Sequence, residues 1–241
     1  MRLGDAQAFV SMVIPCLDEE AAIGALVGAL VEQGVDEVIV VDGGSRDGTR
    51  EIAAAAGARV VVESRQGYGR ACAAGAAAVR PDAQIVAFMD GDGSDDPAAV
   101  SEIIGPIARD EADFCLASRL AGEREPGSMS AVQVLAGRLA GWLIWLRYGA
   151  RYTDMAPFRA LRRDRLAALG MTERTYGWNL EMQMRVAAAR LRIREVPVRC
   201  RRRAGGQSKV SGQWRAAPRA AVTLVSTFLR LAARLRADGV S

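Results

Sequence analysis

The chain has 241 residues, half of them hydrophobic, with 32 Lys/Arg, 28 Asp/Glu and no histidine. That length suits one large domain with a real core, or a domain with an appendage. The missing histidine excludes histidine acid–base chemistry and His-ligated metals. Charge is divided unevenly: residues 1–118 hold 8 Arg and 20 acids, a net of −12, and residues 119–241 hold 24 Lys/Arg and 8 acids, a net of +16. An acidic half suits a cation; a basic half suits phosphates, a membrane surface or nucleic acid. Cys16, Cys72, Cys115 and Cys200 follow no metal spacing, which points to a reduced cytosolic setting. The first residues lack the pattern of a signal peptide. The longest strongly apolar stretch, around Leu139–Leu146, is too short to span a bilayer and is bounded by Arg138 and Arg147.

Phe9–Pro15 reads as a short strand. Asp18 is placed to cap the helix predicted over Ala21–Gln33, which Gly34 stops. Val35–Val41 is a second strand, running into the glycine-rich loop Asp42–Thr49. A helix follows over Arg50–Ala56, then a strand over Ala58–Glu63. Gly67-Tyr68-Gly69-Arg70 opens an Ala-rich helix to Val79.

Ile85–Met89 is a continuous apolar run, as in a strand buried on both faces, and it ends in Asp90-Gly91-Asp92-Gly93-Ser94-Asp95-Asp96. If extended geometry persists, Asp90 and Asp92 point the same way and share one hard cation. The alternative is a polar turn before the next helix. Asp95 and Asp96 are read as caps of that helix, predicted over Ala98–Arg109. Asp113–Ser118 is a further strand.

Strands and helices alternate with short loops, the pattern of an α/β fold: a mostly parallel, Rossmann-like sheet with helices on both faces. Such sheets bind ligands beyond the carboxyl ends of their strands. Three loops in that position carry acid: Asp18/Glu19, Asp42–Gly44 and Asp90–Asp92. Neither GxGxxG nor a phosphate loop ending in Gly-Lys-Ser/Thr is present, which disfavours ordinary dinucleotide or P-loop binding.

Beyond residue 118, Leu120–Ser130 reads as a mobile loop and Ala131–Tyr148 as a long apolar helix with Trp142 and Trp145. Tyr152–Ala160 is a turn leading into a strand, Trp178–Ala189 a helix with Glu181 among apolar residues, and Ile193–Val198 a strand. The basic run Arg199–Arg203 precedes a Gly/Ser-rich stretch with the sole lysine, Lys209. Pro218–Arg236 is a final amphipathic helix. Arg219, Thr223, Ser226, Thr227, Arg230 and Arg234 lie on one face, and Ala221, Leu224, Val225, Phe228, Leu229, Ala232 and Leu235 on the other.

Several stretches, in order, resemble the inverting family 2 glycosyltransferases of GT-A fold, nearest the dolichol-phosphate mannose synthase and polyprenyl-phosphate hexose synthase branch. They are Val13–Glu20, Val41–Thr49, Gln66–Arg70, Asp90-Gly91-Asp92, Ser118-Arg119, Thr153–Arg159, Tyr176–Gln183, and Glu195–Val198 through Ser208–Gly212. The resemblance implies that Asp90 and Asp92 hold Mg2+ or Mn2+ against a donor diphosphate, with Gly91 between them. It implies a nucleoside pocket from Pro15, Leu17, Asp18, Glu19, Asp42, Gly67, Gly69 and Arg70. Arg119 looks like the arginine at the acceptor phosphate, and Arg201, Arg202, Arg203, Ser208 and Lys209 like the loop over the donor diphosphate.

Residues 1–212 are then the catalytic domain, with a nucleotide and metal half to 118 and an acceptor half from 119; residues 213–241 are an amphipathic helical appendage. The implied reaction is inverting transfer of a hexose, from a donor of the UDP-glucose or GDP-mannose type, to a polyprenyl phosphate. The setting is cytoplasmic and peripheral, at the inner membrane face.

Two departures bear on this. Asp42-Gly43 stands where many relatives have two acids, which leaves the base open. Trp178 and Asn179 stand near the Glu-Asp pair that supplies a base in relatives acting on hydroxyls, and neither takes a proton at neutral pH. An anionic phosphate acceptor needs no base.

Rival readings are transfer to a soluble phosphorylated or hydroxyl acceptor, and a nucleotide-sugar-binding module without turnover. Asp154 faces the donor sugar, acts as a base, or caps the turn before Pro157. Glu181 serves the site or pairs with an arginine. The run Arg199–Arg203 is a phosphate loop or a solvated face, and the last helix packs on the core or lies on a bilayer. Nucleic acid is disfavoured, because no aromatics interleave with the arginines.

Overall fold

The computed structural model describes residues 8–203 and 217–237, together with Gly239. Among the described residues, seven strands form one sheet in the order β3-β2-β1-β4-β6-β5-β7. In chain order they are β1 (Val10–Cys16), β2 (Glu37–Asp42), β3 (Arg59–Val62), β4 (Ile85–Phe88), β5 (Phe114–Ser118), β6 (Arg159–Arg162) and β7 (Ile193–Pro197). Only β6 runs against its neighbours β4 and β5; every other pairing is parallel. β1 and β4 are buried along their whole length, which is why neither shows apolar/polar alternation.

Helices α1 (Glu20–Glu32) and α2 (Thr49–Ala55) pack together. The chain then returns from the β3 edge through α3 (Tyr68–Ala78) to β4, and the right-handed crossover rule puts α3 on the opposite face. A 3-10 turn over Pro97–Ala99 leads into α4 (Val100–Ala108), and Asp96 accepts from Ala98 N at 3.0 Å. Asp96 is therefore a cap, as read from the sequence. Asp18 is not: it sits at φ 50, and Glu19 holds the cap position of α1.

α5 (Ala131–Tyr148) has the limits expected of it, set by a Ser130/Gln133 capping box and by Gly149 in the left-handed region. The short α6 (Arg163–Leu169) carries no strong periodic signal. α7 (Trp178–Ala188) and α8 (Ala217–Ala237) are the remaining helices among the described residues, and α8 packs on α5 and α7. Its buried stripe is Leu224, Phe228, Leu231 and Leu235, while Leu229, assigned to the apolar face, points outward. Loop 120–130 is anchored rather than loose: Cys200 N donates to Glu123 O, and Glu125 N to Cys200 O.

The strand order reverses at β1, with β2 on one side and β4 on the other. The crevice beyond the carboxyl ends of β1 and β4 is the ligand position of such a sheet. Cys16–Glu19 and Asp90–Asp92 border it.

Candidate active site

Two acidic loops are tied together at the β1 and β2 ends. Asp42 is fully buried, and its carboxylate accepts from Gly44 N and Ser45 N at 3.1 Å. Ser45 Oγ then accepts from Asp18 N at 2.8 Å, and Asp18 Oδ1 accepts from Arg46 N at 2.9 Å. Asp18 and Asp42 thus shape the pocket wall through backbone bonds. Pro15 is buried in β1, and Leu17 lies half-buried against Gly43.

At the end of β4, Gly91 passes so close to β1 that an added Cβ would lie 2.2 Å from Cys16 Sγ. A side chain there would push Asp90 and Asp92 out of the crevice. Asp90 Oδ1 accepts from Tyr68 Oη at 3.0 Å. Burial and the Asp92 charge push the Asp90 carboxyl up to about 7. Asn179 lies in the first turn of α7, and its backbone carbonyl accepts from the buried Arg159. Gly67 and Gly69 let α3 start against the carbonyls of residues 173–175: Gly69 N donates to Thr175 O, and Arg70 N to Arg174 O. Buried Arg159, donating to the carbonyls of Asn179 and Ala156, fixes the start of α7.

Asp95 belongs to this cluster, contrary to its reading as a cap. Gly93 turns at φ 74, and Asp95 pairs with Cys200 in an isolated bridge. Its side chain is 1% exposed, and neither oxygen has a hydrogen-bond partner among the described residues. Burial first, then the Asp90 charge, push its carboxyl up to about 8. The sequence signal was the third acid after Asp90 and Asp92, masked by the turn at Gly93.

Arg119 and Asp154 form a buried fork. Arg119 Nε and Nη2 donate to Oδ2 and Oδ1 at 2.8 and 2.9 Å, and Arg119 N adds a bond at 3.0 Å. The Arg119 guanidinium holds the Asp154 carboxyl below the usual range, which makes Asp154 a poor base. Asp154 is therefore the anchor of Arg119. Glu181 is occupied elsewhere: it pairs with Arg185 at 2.9 Å and accepts from Thr172 N, Thr172 Oγ1 and Glu173 N. It braces the 172–175 loop under α3, which matches the arginine-pairing alternative.

The basic run splits three ways. Arg201 bonds Asp96 at 3.0 Å, and Arg202 bonds Pro126 O. Arg203 bridges the two acidic loops, reaching Glu19 Oε1 at 2.8 Å and Asp92 Oδ2 at 3.0 Å. Ser208 and Lys209 lie outside the described residues. The crevice thus collects Asp90, Asp92, Asp95 and Glu19, with a guanidinium wedged among them. Two oxygen-donor carboxylates side by side at the mouth of the crevice fit a hard divalent cation. No group of three or more metal-ligating side chains occurs among the described residues, so such a cation would draw further oxygens from a ligand's phosphates.

A family model described as Glycosyl transferase family 2 matches residues 11–196. An uncharacterized glycosyltransferase of Mycobacterium tuberculosis is 38% identical over 216 residues, covering 88% of this chain and 93% of that protein. A dolichyl-phosphate hexose transferase of Haloferax volcanii is 34% identical over 200 residues, covering 81% of this chain and 84% of that protein. Among solved structures, glucosyl-3-phosphoglycerate synthase from Mycobacterium tuberculosis, in complex with Mn2+, uridine-diphosphate-glucose and phosphoglyceric acid, matches with a TM-score of 0.75 at 26% identity. That match covers 95% of this chain and 82% of the other.

Proposed function

The chain belongs to glycosyl transferase family 2, and on that premise we propose that it transfers a hexose from a nucleotide sugar to a polyprenyl phosphate at the cytosolic face of a membrane. It is a glycosyltransferase; the lipid acceptor is the inference. The observation that carries it is the start of α7. Trp178 and Asn179, neither of them a base, open α7, and the nearby carboxylates Asp154 and Glu181 are each locked to an arginine. A hydroxyl acceptor needs a base there, whereas a phosphate is already anionic. The dolichyl-phosphate hexose transferase among the relatives supports the same acceptor class.

In this reading Asp90 and Asp92 hold the cation, which would offset charge building on the donor diphosphate. Arg203 leaves Asp92 and Glu19 and turns to the same diphosphate, with Arg201 and Arg202 beside it. Arg119, oriented by Asp154, offers Nη1 to the acceptor phosphate. A phosphate oxygen attacks the anomeric carbon opposite the leaving group. The new C–O bond forms as the bond to the diphosphate breaks, and the configuration inverts.

A second reading, a soluble phosphorylated acceptor, is favoured by the solved relative with phosphoglyceric acid. Labelled nucleotide sugar, offered with polyprenyl phosphate and Mg2+ or Mn2+, separates the two. Label in the organic phase supports the lipid acceptor; label carried only by a water-soluble phosphate acceptor overturns it.

A further inference from the structure

We propose that the outer face of α5 is the surface by which the protein lies on an anionic lipid bilayer. The inference rests on the lipid-phosphate reading above and names the part of the fold that would bring the site to its acceptor.

α5 has two unlike faces. Gly137, Ala140, Gly141 and Ile144 are buried. An added Cβ at Gly137 would lie 3.4 Å from Asp154 Oδ1, and one at Gly141 would lie 2.1 Å from Tyr152 O. The inner face therefore rides directly on the segment that orients Arg119. At about 100° per residue, Leu135, Arg138, Trp142, Trp145 and Leu146 share one arc of about 100° on the opposite side. The four apolar members are exposed by 55, 54, 43 and 64% respectively. α8 packs beside α5 and leaves Val222 and Leu229 outward. Single exposed apolar residues are ordinary; two tryptophans and two leucines on one arc form a patch.

The charge around the patch selects its occupant. Neither Ala131–Tyr148 nor Ala217–Ala237 contains an acid. Arg138, Arg151, Arg234 and Arg236 are exposed, and the Arg151 guanidinium stacks 5.8 Å from the Trp145 ring centre. Tryptophan favours the depth of lipid headgroups, and arginine meets their phosphates. A second copy of the chain would bring arginine against arginine. On a bilayer, the Arg119 fork lies about one helix diameter, ~10 Å, from the headgroups, within reach of a lipid-borne phosphate. Among the described residues no helix is long and apolar enough to cross a membrane, so this contact is interfacial.

The test uses the full chain with vesicles of phosphatidylcholine alone or mixed with phosphatidylglycerol. The expected result is salt-sensitive cosedimentation with the anionic vesicles only. The double variant Trp142→Ala/Trp145→Ala, and separately Leu146→Glu, should bind about tenfold more weakly, while transfer to a short-chain, water-soluble polyprenyl phosphate stays at the wild-type rate. That retained rate also reports folding. If both variants fail to fold, Trp214→Phe protein with brominated lipids decides: tryptophan quenching supports the surface, and its absence overturns it. Variants that bind vesicles like wild type overturn it, as does a concentration-dependent dimer abolished by these variants without vesicle binding. Label entering lipid phosphate without vesicle binding sinks this inference and leaves the acceptor reading standing. Vesicle binding without label transfer does the reverse.

Discussion

Arg203 and Asp92 meet at 3.0 Å, and the same guanidinium reaches Glu19 at 2.8 Å, so one arginine joins two acidic loops that the chain order separates widely. It stands where a cation and a diphosphate would otherwise meet the carboxylates. Arg203→Ala should therefore bind Mn2+ about three- to tenfold more tightly without donor, in line with a partly exposed pair worth about 1 kcal/mol. The same variant should lose turnover, because the guanidinium no longer reaches the diphosphate. Calorimetric titration of the metal, beside a transfer assay, checks both; unchanged metal affinity contradicts the bridge as a competitor.

Asn179→Ala should change turnover by less than about threefold. A general base at this position would contribute roughly 10²–10⁴-fold. Steady-state rates of wild type and variant suffice, and a loss beyond a hundredfold would mean the start of α7 takes part in proton transfer.

Glu181→Ala should act on stability rather than on donor affinity. The pair with Arg185 is buried, and removing its carboxylate also leaves three donors, Thr172 N, Thr172 Oγ1 and Glu173 N, without their acceptor, at a cost of about 3–5 kcal/mol. Chemical denaturation measures the loss. A variant of normal stability with abolished transfer would return Glu181 to the chemistry.

The Asp95 carboxyl is pushed up to about 8 by burial and by Asp90. An acid whose folded pKa is raised keeps its proton in the folded state after the unfolded chain has released it. The folded state then binds more protons, and stability falls as pH rises from near 4 to about 8. Metal-free wild type should lose stability relative to Asp95→Asn across that window. Thermal midpoints at several pH values test this, and parallel curves for the two proteins contradict it.

The centre of the sheet was legible because β1, β2 and β4 are buried almost throughout and run into acidic loops. Ile85–Met89 running into Asp90 needs no tertiary information, and neither does the capped span of α5. The pairings that build the site were not. Arg119 and Asp154 are 35 residues apart and meet only because β6 inserts antiparallel between β4 and β5. Asp95 was hidden because the left-handed turn at Gly93 breaks the alternation from Asp90 and Asp92. Asp18 resembled a cap because its residue type is right, but its positive φ and its bond to Arg46 bind it to the neighbouring loop instead. The amphipathic pattern of α8 suggested a bilayer contact, yet its apolar stripe is spent on α5 and α7; the outward tryptophans belong to α5.

In the proposed reaction a phosphate acceptor attacks without help from a base. The most direct measurement compares polyprenyl phosphate with the matching polyprenol, at equal concentration, with one labelled nucleotide sugar and Mn2+. Labelled lipid is expected from the phosphate and none above background from the alcohol. Transfer to the alcohol at a comparable rate would contradict it, because that reaction needs a base that Asn179 does not supply.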